Sequence, residues 1–449
     1  MKRKRYVAVG TGGRIVGFID PIVRDFRETC ELVALCDLSQ TRMDYHRHRL
    51  AKDYNYAGEI KTYLANDFDR MLDEVKPDAV IVCTTDATHH EYIIRSANKG
   101  YDVICEKPMT TDAEKCRAIL EAVEKSGRDV RVTFNMRWSP GITKVRELLR
   151  DGKIGKIHHV QMEYLLDTSH GADYYRRWHS DKASSGGLLV HKSTHHFDLV
   201  NWWIDSIPKN VYAQGDLVFY GKKNAIARGD EKLTQYERYT GVEAAKDDPF
   251  RLDLSENENS KGLYLDAEKE TGYLRDRNIF RDGIDIEDTM SVIVKYRSGT
   301  TLNYSLNTYC PWEGFRVNFT GDKGRIEYEE VLRPHIIIGQ SDEEFAAQYA
   351  SISNEPYRIK FMPLFKPVEI IEVPKTGGSH GGADPLIQRD IFGQNSEPDP
   401  FSRGARYEQG AASALIGIAA NQSIATHQQV DIGKLVTLRP EAIRLSELK

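Results

Sequence analysis

The sequence predicts two folds in one chain, an α/β domain followed by an α+β domain whose sheet is open and mostly antiparallel. Three observations carry this. Short apolar runs alternate with helical stretches over about residues 1–135. From Gly152 the pattern changes to long alternating strands joined by tight turns. Between those strands, about 221–283 is dense in charge and poor in periodicity, as an insertion would be.

In the first part, Arg5–Gly10 reads as a strand that runs into a glycine-rich turn and an apolar segment reaching about Phe26. Within that segment Asp20-Pro21 has the form of a helix N-cap and first helical position. Leu32–Asp37, Ala79–Cys83, Val103–Cys105 and Val130–Phe134 are further strands. Helices fall at Glu91–Lys99 and Asp112–Lys125, the second opened by a capping box of Thr111 and Glu114. Such alternation implies a parallel, doubly wound sheet. In the second part Ile157–Leu166 is a long strand, and Met290–Tyr296, Thr300–Leu306, Phe315–Thr320 and Gly324–Tyr328 follow. Ser298-Gly299 and Asp322-Lys323-Gly324 supply their turns. Ala405–Thr426 has the spacing of an amphipathic helix. The domains are placed at 1–135 and 136–449, the charged insertion at 221–283 being read as cover for a site rather than core.

The chain has 449 residues, 40% hydrophobic and 29% charged, which suits a globular protein with sizeable cores. A net charge of −5 argues against a dedicated nucleic-acid binder. The basic opening Met1–Arg5 is read as a solvated lead-in. No signal-peptide segment and no spanning apolar run is visible, so no membrane is expected as partner. Six scattered cysteines look like reduced core thiols, which suggests the cytoplasm.

Gly10-Thr11-Gly12-Gly13, with Arg14 beside it, follows a strand directly, and glycine backbone can approach a pyrophosphate closely. A third glycine of the usual dinucleotide pattern would fall at Ile15, and it is missing. Asp37 ends the second strand, where a carboxylate accepts hydrogen bonds from both ribose hydroxyls of an adenosine. The same charge repels a 2′-phosphate, so NAD is favoured over NADP in a Rossmann domain; Arg42 softens that preference.

Cys83-Thr84-Thr85-Asp86-Ala87-Thr88-His89-His90 follows the third core strand and Val103-Ile104-Cys105-Glu106-Lys107-Pro108 forms the fourth and its exit. Both open onto the carboxyl edge of the sheet, where ligands bind. A strand ending in Glu-Lys-Pro, after a Thr-rich turn with a His, resembles the Gfo/Idh/MocA family of NAD(P)-dependent oxidoreductases. The likeness continues through Phe134-Asn135-Met136-Arg137-Trp138 and covers most of the chain outside the insertion and residues 335–400. The resemblance implies that Thr84, Thr85 and His89 line the nicotinamide side, that Glu106 contacts the cofactor with Asn135 nearby, and that Lys107 points at substrate. An ammonium there can hold a substrate hydroxyl and stabilise alkoxide character.

The stretch Gly186-Gly187-Leu188-Leu189-Val190-His191-Lys192-Ser193-Thr194-His195-His196-Phe197-Asp198 holds the densest chemistry. In a helix, His191, His195 and Asp198 share one face. Family members usually carry Gly-Gly, an Asp, a His four residues later and another Asp. That maps His195 onto the family's catalytic His and Asp198 onto its trailing Asp, with His191 where an Asp is usual. His195 is then the general base, and His191 or Lys192 takes the part of the missing Asp. Asp167, His170, Tyr174, Arg177 and Trp178, with Arg137, supply the polar planes and rings that a hydroxyl-rich substrate wants. A metal reading of His191 and His195 with His170, His179 or His196 stands beside this, although the family generally works without metal.

The expected function is hydride transfer between NAD and a secondary hydroxyl of a sugar, glycoside or cyclitol. The alternative is an NAD-dependent glycosidase or lyase that oxidises the sugar transiently and releases no net NADH. A sensor is disfavoured, because it needs neither Lys107 nor His195. The resemblance also implies a homo-oligomer, a dimer or tetramer formed through the second domain's sheet.

Overall fold

Tyr6-Val7-Ala8-Val9 is apolar on both sides of the strand, so it requires a sheet covered on both faces. The computed structural model, which describes residues 2–337, 340–375, 379–393 and 398–448, provides one. Met1 of the basic lead-in lies outside the described residues, and Lys4 and Arg5 already belong to the first strand. The first sheet is built from β1 (Lys4–Val9), α1 (Val16–Arg24), β2 (Cys30–Asp37), α2 (Gln40–Tyr54), β3 (Lys61–Leu64), α3 (Phe68–Val75), β4 (Ala79–Val82), α4 (His89–Asn98), β5 (Asp102–Cys105), α5 (Ala113–Ser126) and β6 (Val130–Val132). Its strands are parallel in the order β3-β2-β1-β4-β5-β6, the doubly wound dinucleotide-binding order, which reverses between β1 and β4.

Two local expectations in this part are corrected. α1 does not restart at Asp20-Pro21 but runs through Pro21. Proline leaves the carbonyl four residues earlier without its helical partner, and Gln388 Nε2 donates to that Gly17 oxygen at 3.0 Å. Asp20 instead accepts from Arg49 at 2.5 Å and Tyr54 at 2.7 Å. α5 is capped by Asp112, whose carboxylate accepts from Lys115 N at 2.9 Å, and not by a box of Thr111 and Glu114.

The chain then forms α6 (Pro140–Arg150), β7 (Ile157–Asp167), α7 (Thr168–Arg176), α8 (Lys182–Ser185), α9 (Leu188–His191), α10 (Ser193–Trp203) and β8 (Pro208–Asp216). Residues 221–283 hold the short helices α11 (Lys222–Ala227), α12 (Glu258–Ser260) and α13 (Glu268–Thr271). β9 (Thr289–Tyr296), β10 (Thr301–Cys310), β11 (Glu313–Gly321) and β12 (Gly324–Arg333) come next. The chain ends through α14 (Asp342–Asn354), β13 (Tyr357–Pro363), β14 (Glu369–Val373), α15 (Ser379–Phe392), β15 (Ala405–Arg406), α16 (Tyr407–Thr426) and β16 (Val430–Asp431). The second sheet has the order β14-β13-β12-β11-β7-β10-β9-β8-β16, antiparallel except where β7 meets β10. Its strands alternate: in β9, Met290, Val292 and Val294 are buried while Ser291, Ile293 and Lys295 face outward.

The insertion is less separate from the core than its composition suggests. Tyr220 before it, and Ala225, Ile279 and Phe280 near its ends, join the main apolar core, while Tyr236, Tyr239 and Ala245 form a small cluster of their own. The helix expected at 405–426 begins at Tyr407, after β15 has paired antiparallel with β6. It is buried on nearly all sides rather than amphipathic, because it lies between the two sheets and packs on β8, α10 and α9 as well as α5. Gly417 lets it lie directly on the backbone of α9, since a Cβ there would stand 2.2 Å from the Leu189 oxygen. Among the described residues no helix is long and apolar enough to cross a membrane.

Where the domains meet, Arg137 is fully buried and donates to Asp198 of α10 at 2.6 and 2.7 Å and to Gln409 of α16 at 2.9 Å. Arg137 was expected at the substrate and Asp198 beside the catalytic His as the family's trailing Asp; the structure instead uses these two as a sealed ion pair, and with Gln409 they join three segments. Removing one partner of such a pair costs about 3–5 kcal/mol, because the other charge stays buried. Asp198→Ala is therefore expected to shift the urea unfolding midpoint sharply downward, and an unchanged midpoint would show that the pair holds nothing together.

Candidate active site

The dinucleotide edge forms where β1 and β2 end. Gly10 has φ +85°, and a Cβ on it would fall 2.5 Å from the backbone of Cys83 and Thr84, so only glycine fits where the chain crosses the end of β4. The turn is tied down by Asp37, which accepts from Thr11 N at 2.5 Å and Ser39 N at 3.0 Å. Gly12 and Gly13 then lead through a short 3₁₀ turn into α1. Two buried polar atoms facing this region, Thr11 Oγ1 and Arg42 Nη2, have no hydrogen-bond partner among the described residues. A glycine turn, a ribose-reading carboxylate and spare donors fit the requirements of NAD.

Further along the same edge, Arg14 donates to Glu106 at 2.6–2.7 Å, and Glu106 also accepts from the Lys107 backbone at 3.1 Å. Thr84, Thr85 and Thr88 form a chain of hydroxyls, with Thr88 donating to Thr84 at 2.9 Å. His89 is buried and lies 2.8 Å from the Pro108 oxygen and 3.1 Å from the Thr84 oxygen. It thus braces the loops after β4 and β5 and presents no ring nitrogen to a nicotinamide, contrary to the expected lining role. Asn135 donates to Asp384 of α15 at 2.8 Å.

The reactive end depends on α9. Gly186 and Gly187 both adopt positive φ, +71° and +73°, and turn the chain so that His191 faces β4 and β5. The helix expected to carry His191, His195 and Asp198 on one face is broken at Lys192, which separates α9 from α10. His191 therefore parts from the other two. Its Nδ1 lies 2.5 Å from Asp86 Oδ2, and Lys107 Nζ is 3.1 Å from its backbone oxygen and 3.4 Å from its Nε2. Because an ammonium can only donate, Nε2 accepts from Lys107 and Nδ1–H donates to Asp86. Burial, reinforced by Lys107, holds the His191 imidazole well below its ordinary pKa. Burial also lowers Lys107 to about 8, with Asp86 and Glu106 opposing. Asp86 is pushed up by burial against the pull of Lys107. His195 packs edge-on against Phe134, with centroids 6.0 Å apart.

Around His191 stands a wall of rings: His179 at 4.1 Å, Tyr174 at 5.5 Å and Trp178 at 5.8 Å between centroids, Trp178 being stacked on His179 at 3.6 Å. Tyr174 Oη contacts His170 Nε2 at 3.1 Å, and His170 Nδ1 contacts Glu313 at 2.9 Å. Burial alone would raise the Glu313 carboxyl, but His170 and Lys192 bring it below its ordinary value. Lys192 is buried with its ammonium 4.9 Å over the Tyr164 ring. Arg177 pairs with Asp173 at 3.3 Å. Asp167, expected to bind substrate, is fully buried as the N-cap of α7, accepting from Ser169 N and His170 N, and pairs with Arg333 at 3.2 Å. Among the described residues no three His, Cys, Asp or Glu side chains are placed to hold a metal ion.

Asp86 stands in the Thr-rich loop with no role expected of it, although a carboxylate after β4 is a visible signal. Glu313 carries no such signal, since it reaches His170 across 143 residues.

Residues 4–134 match the family model described as the NAD-binding Rossmann fold of an oxidoreductase family, and residues 146–432 match that family's C-terminal alpha/beta domain. The Bacillus subtilis protein YteT is 35% identical over 456 residues, covering 97% of this chain and 99% of that protein. Inositol 2-dehydrogenase of Rhizobium meliloti is 34% identical over 158 residues, 35% of this chain and 44% of that enzyme. Among solved structures, an aldose-aldose oxidoreductase of Caulobacter crescentus superposes with a TM-score of 0.59 at 16% identity, covering 96% of this chain and 100% of that one. The WlbA dehydrogenase of Bordetella pertussis, solved with NADH and UDP-GlcNAcA, gives a TM-score of 0.61 at 16% identity, covering 96% and 99%. With the glycine turn, Asp37 and the Glu-Lys-Pro strand end in their places, the chain belongs to the Gfo/Idh/MocA family of NAD-binding oxidoreductases.

Proposed function

We propose that the protein catalyses hydride transfer between NAD and a secondary hydroxyl of a sugar, glycoside or cyclitol. The observation that carries this reading is the meeting of Lys107, His191 and Asp86 at the carboxyl edge of the parallel sheet, beside rings that can lie on a sugar face. The inositol 2-dehydrogenase match supports a polyhydroxylated ring as substrate. NAD, when bound, supplies the hydride acceptor. The Lys107 ammonium holds the substrate oxygen and stabilises its developing negative charge. His191, kept neutral by burial, receives the hydroxyl proton at Nε2, and Asp86 holds its tautomer and steadies the resulting imidazolium. This gives His191 the base role that the family pattern assigned to His195. Trp178, His179 and Tyr174 bound the ring, while His170, Glu313 and Lys192 offer polar contacts to other hydroxyls.

A redox-neutral variant, in which a glycoside is cleaved without net NADH, draws support from one feature. Tyr264 of the insertion lies against Gly13 of the dinucleotide turn, an arrangement suited to a cofactor retained between turnovers. We also place a second copy of the chain on the outward face of the second sheet, where Ile293 is 49% exposed among polar neighbours. All six cysteines are free, which suits the reducing cytoplasm.

Purified protein given NAD and a panel of sugars, glycosides and cyclitols should produce NADH with one of them, and Lys107→Met should lower kcat/KM by about 10²–10⁴. Cleaved glycoside without NADH would select the redox-neutral variant, and a fully active Lys107→Met enzyme would remove Lys107 from the chemistry. In the reverse assay, carbonyl reduction should lose rate as pH rises through about 8, where Lys107 loses the charge that polarises the carbonyl oxygen; a flat profile across that range would contradict the assignment. Sedimentation should show a dimer or tetramer, and a monomer at micromolar concentration would dismiss the proposed sheet interface.

A further inference from the structure

The insertion does not simply overhang the site: residues 259–275 dock on the adenosine end of the dinucleotide edge. Gly13 N donates to Tyr264 Oη at 2.9 Å. Arg42 Nε donates to the Leu263 oxygen at 2.8 Å, and its guanidinium stands 5.6 Å from the Tyr264 ring and 5.9 Å from the Tyr273 ring. Tyr45 donates to Asn259, and its ring lies so close to Gly262 that a Cβ there would clash at 2.4 Å. The strap is anchored at its far end by Arg275, bidentate on Asp173 at 2.7 and 2.9 Å.

Glu270 takes the position with the most consequence. Ser39 Oγ donates to it, as do Thr41 N at 3.2 Å and Thr41 Oγ1 at 2.7 Å. These three donors follow β2 immediately after Asp37, where the ribose 2′ position of a bound dinucleotide lies. A hydroxyl, an amide and a second hydroxyl beside an arginine are the partners a 2′-phosphate would need. Here a carboxylate already holds the first three, while the strap's Leu263 carbonyl takes the arginine's Nε and Asp37 stands 3.7 Å from its Nη1.

We propose that the strap is a wall of the cofactor site that selects NAD over NADP, with Glu270 occupying the donors a 2′-phosphate would use and Tyr264 contributing to the pyrophosphate turn. Asp37 alone repels a 2′-phosphate from one side; Glu270 adds a second negative charge and removes the compensating donors. The two residues separate in their effects. Glu270 acts only on the 2′ substituent, whereas Tyr264, which accepts from Gly13 N and keeps its own hydroxyl proton to donate, acts on the pyrophosphate that both dinucleotides share.

The test is titration of the full-length protein with NAD and with NADP, followed by fluorescence and repeated for Glu270→Gln, Glu270→Lys and Tyr264→Phe. Glu270→Gln should tighten NADP by about two- to fivefold with NAD changed by less than about 1.5-fold, and Glu270→Lys should tighten it further, one exposed charge pair being worth about a factor of two to five. Tyr264→Phe should weaken both dinucleotides alike, by about two- to tenfold for one lost hydrogen bond. An unchanged NADP-to-NAD ratio in both Glu270 variants, with wild-type thermal melting, overturns the selectivity assignment. NAD failing to bind the wild-type protein in the same titration overturns the cofactor reading itself, a separate result.

Discussion

A carboxylate and an ammonium carried by the first domain meet an imidazole carried by the second, and the rest of the molecule is arranged to hold that meeting in register. Asp86 and Lys107 lie in the loops that leave adjacent parallel strands, β4 and β5, at the same edge, so the paired strands bring those loops together. His191 arrives from the second domain on a single helical turn delivered by Gly186 and Gly187. Contacts of 2.5 to 3.4 Å between groups of different domains tolerate little relative movement. The junction accordingly contains a sealed Arg137–Asp198 pair and the buried helix α16, which touches both domains.

Burial gives this cluster its chemical character. In a medium of low dielectric the charged forms of isolated groups are disfavoured, which lowers His191 and Lys107 and raises Asp86. The result is a neutral imidazole beside an amine poised near physiological pH, a combination suited to moving one proton in either direction. The same burial makes Glu313 and His170 depend on one another, since a lone carboxylate at that depth would be costly.

The insertion shows how a segment without a periodic apolar face can still be ordered. Its contacts are specific polar ones, to Gly13, Ser39, Thr41 and Arg42, together with tyrosine rings that cover the arginine. Such a segment takes its conformation from the surface on which it lands, so composition reads it as loop. Its ends, at Ala225 and at Ile279 and Phe280, enter the main core, and Leu233 and Phe250 pack against it half-buried.

What the sequence by itself determined is local and edge-directed. Unbroken apolar runs such as Tyr6–Val9 demanded a doubly covered sheet; a glycine turn, Asp37 and Glu106-Lys107-Pro108 then fell at strand ends because strand ends are where the pattern changes from apolar to polar. The alternation in 289–296 likewise announced a sheet with one open face. The tertiary structure decided everything that depends on which distant groups meet. Helical spacing placed His191, His195 and Asp198 on one face, but the break at Lys192 sent His191 to Asp86, 105 residues away, and left Asp198 to Arg137, 61 residues away. Asp167 read as a substrate ligand, and packing made it a cap. Periodicity records which side of an element is buried; it holds no record of the partner found there, and the chemistry of a site is a matter of partners.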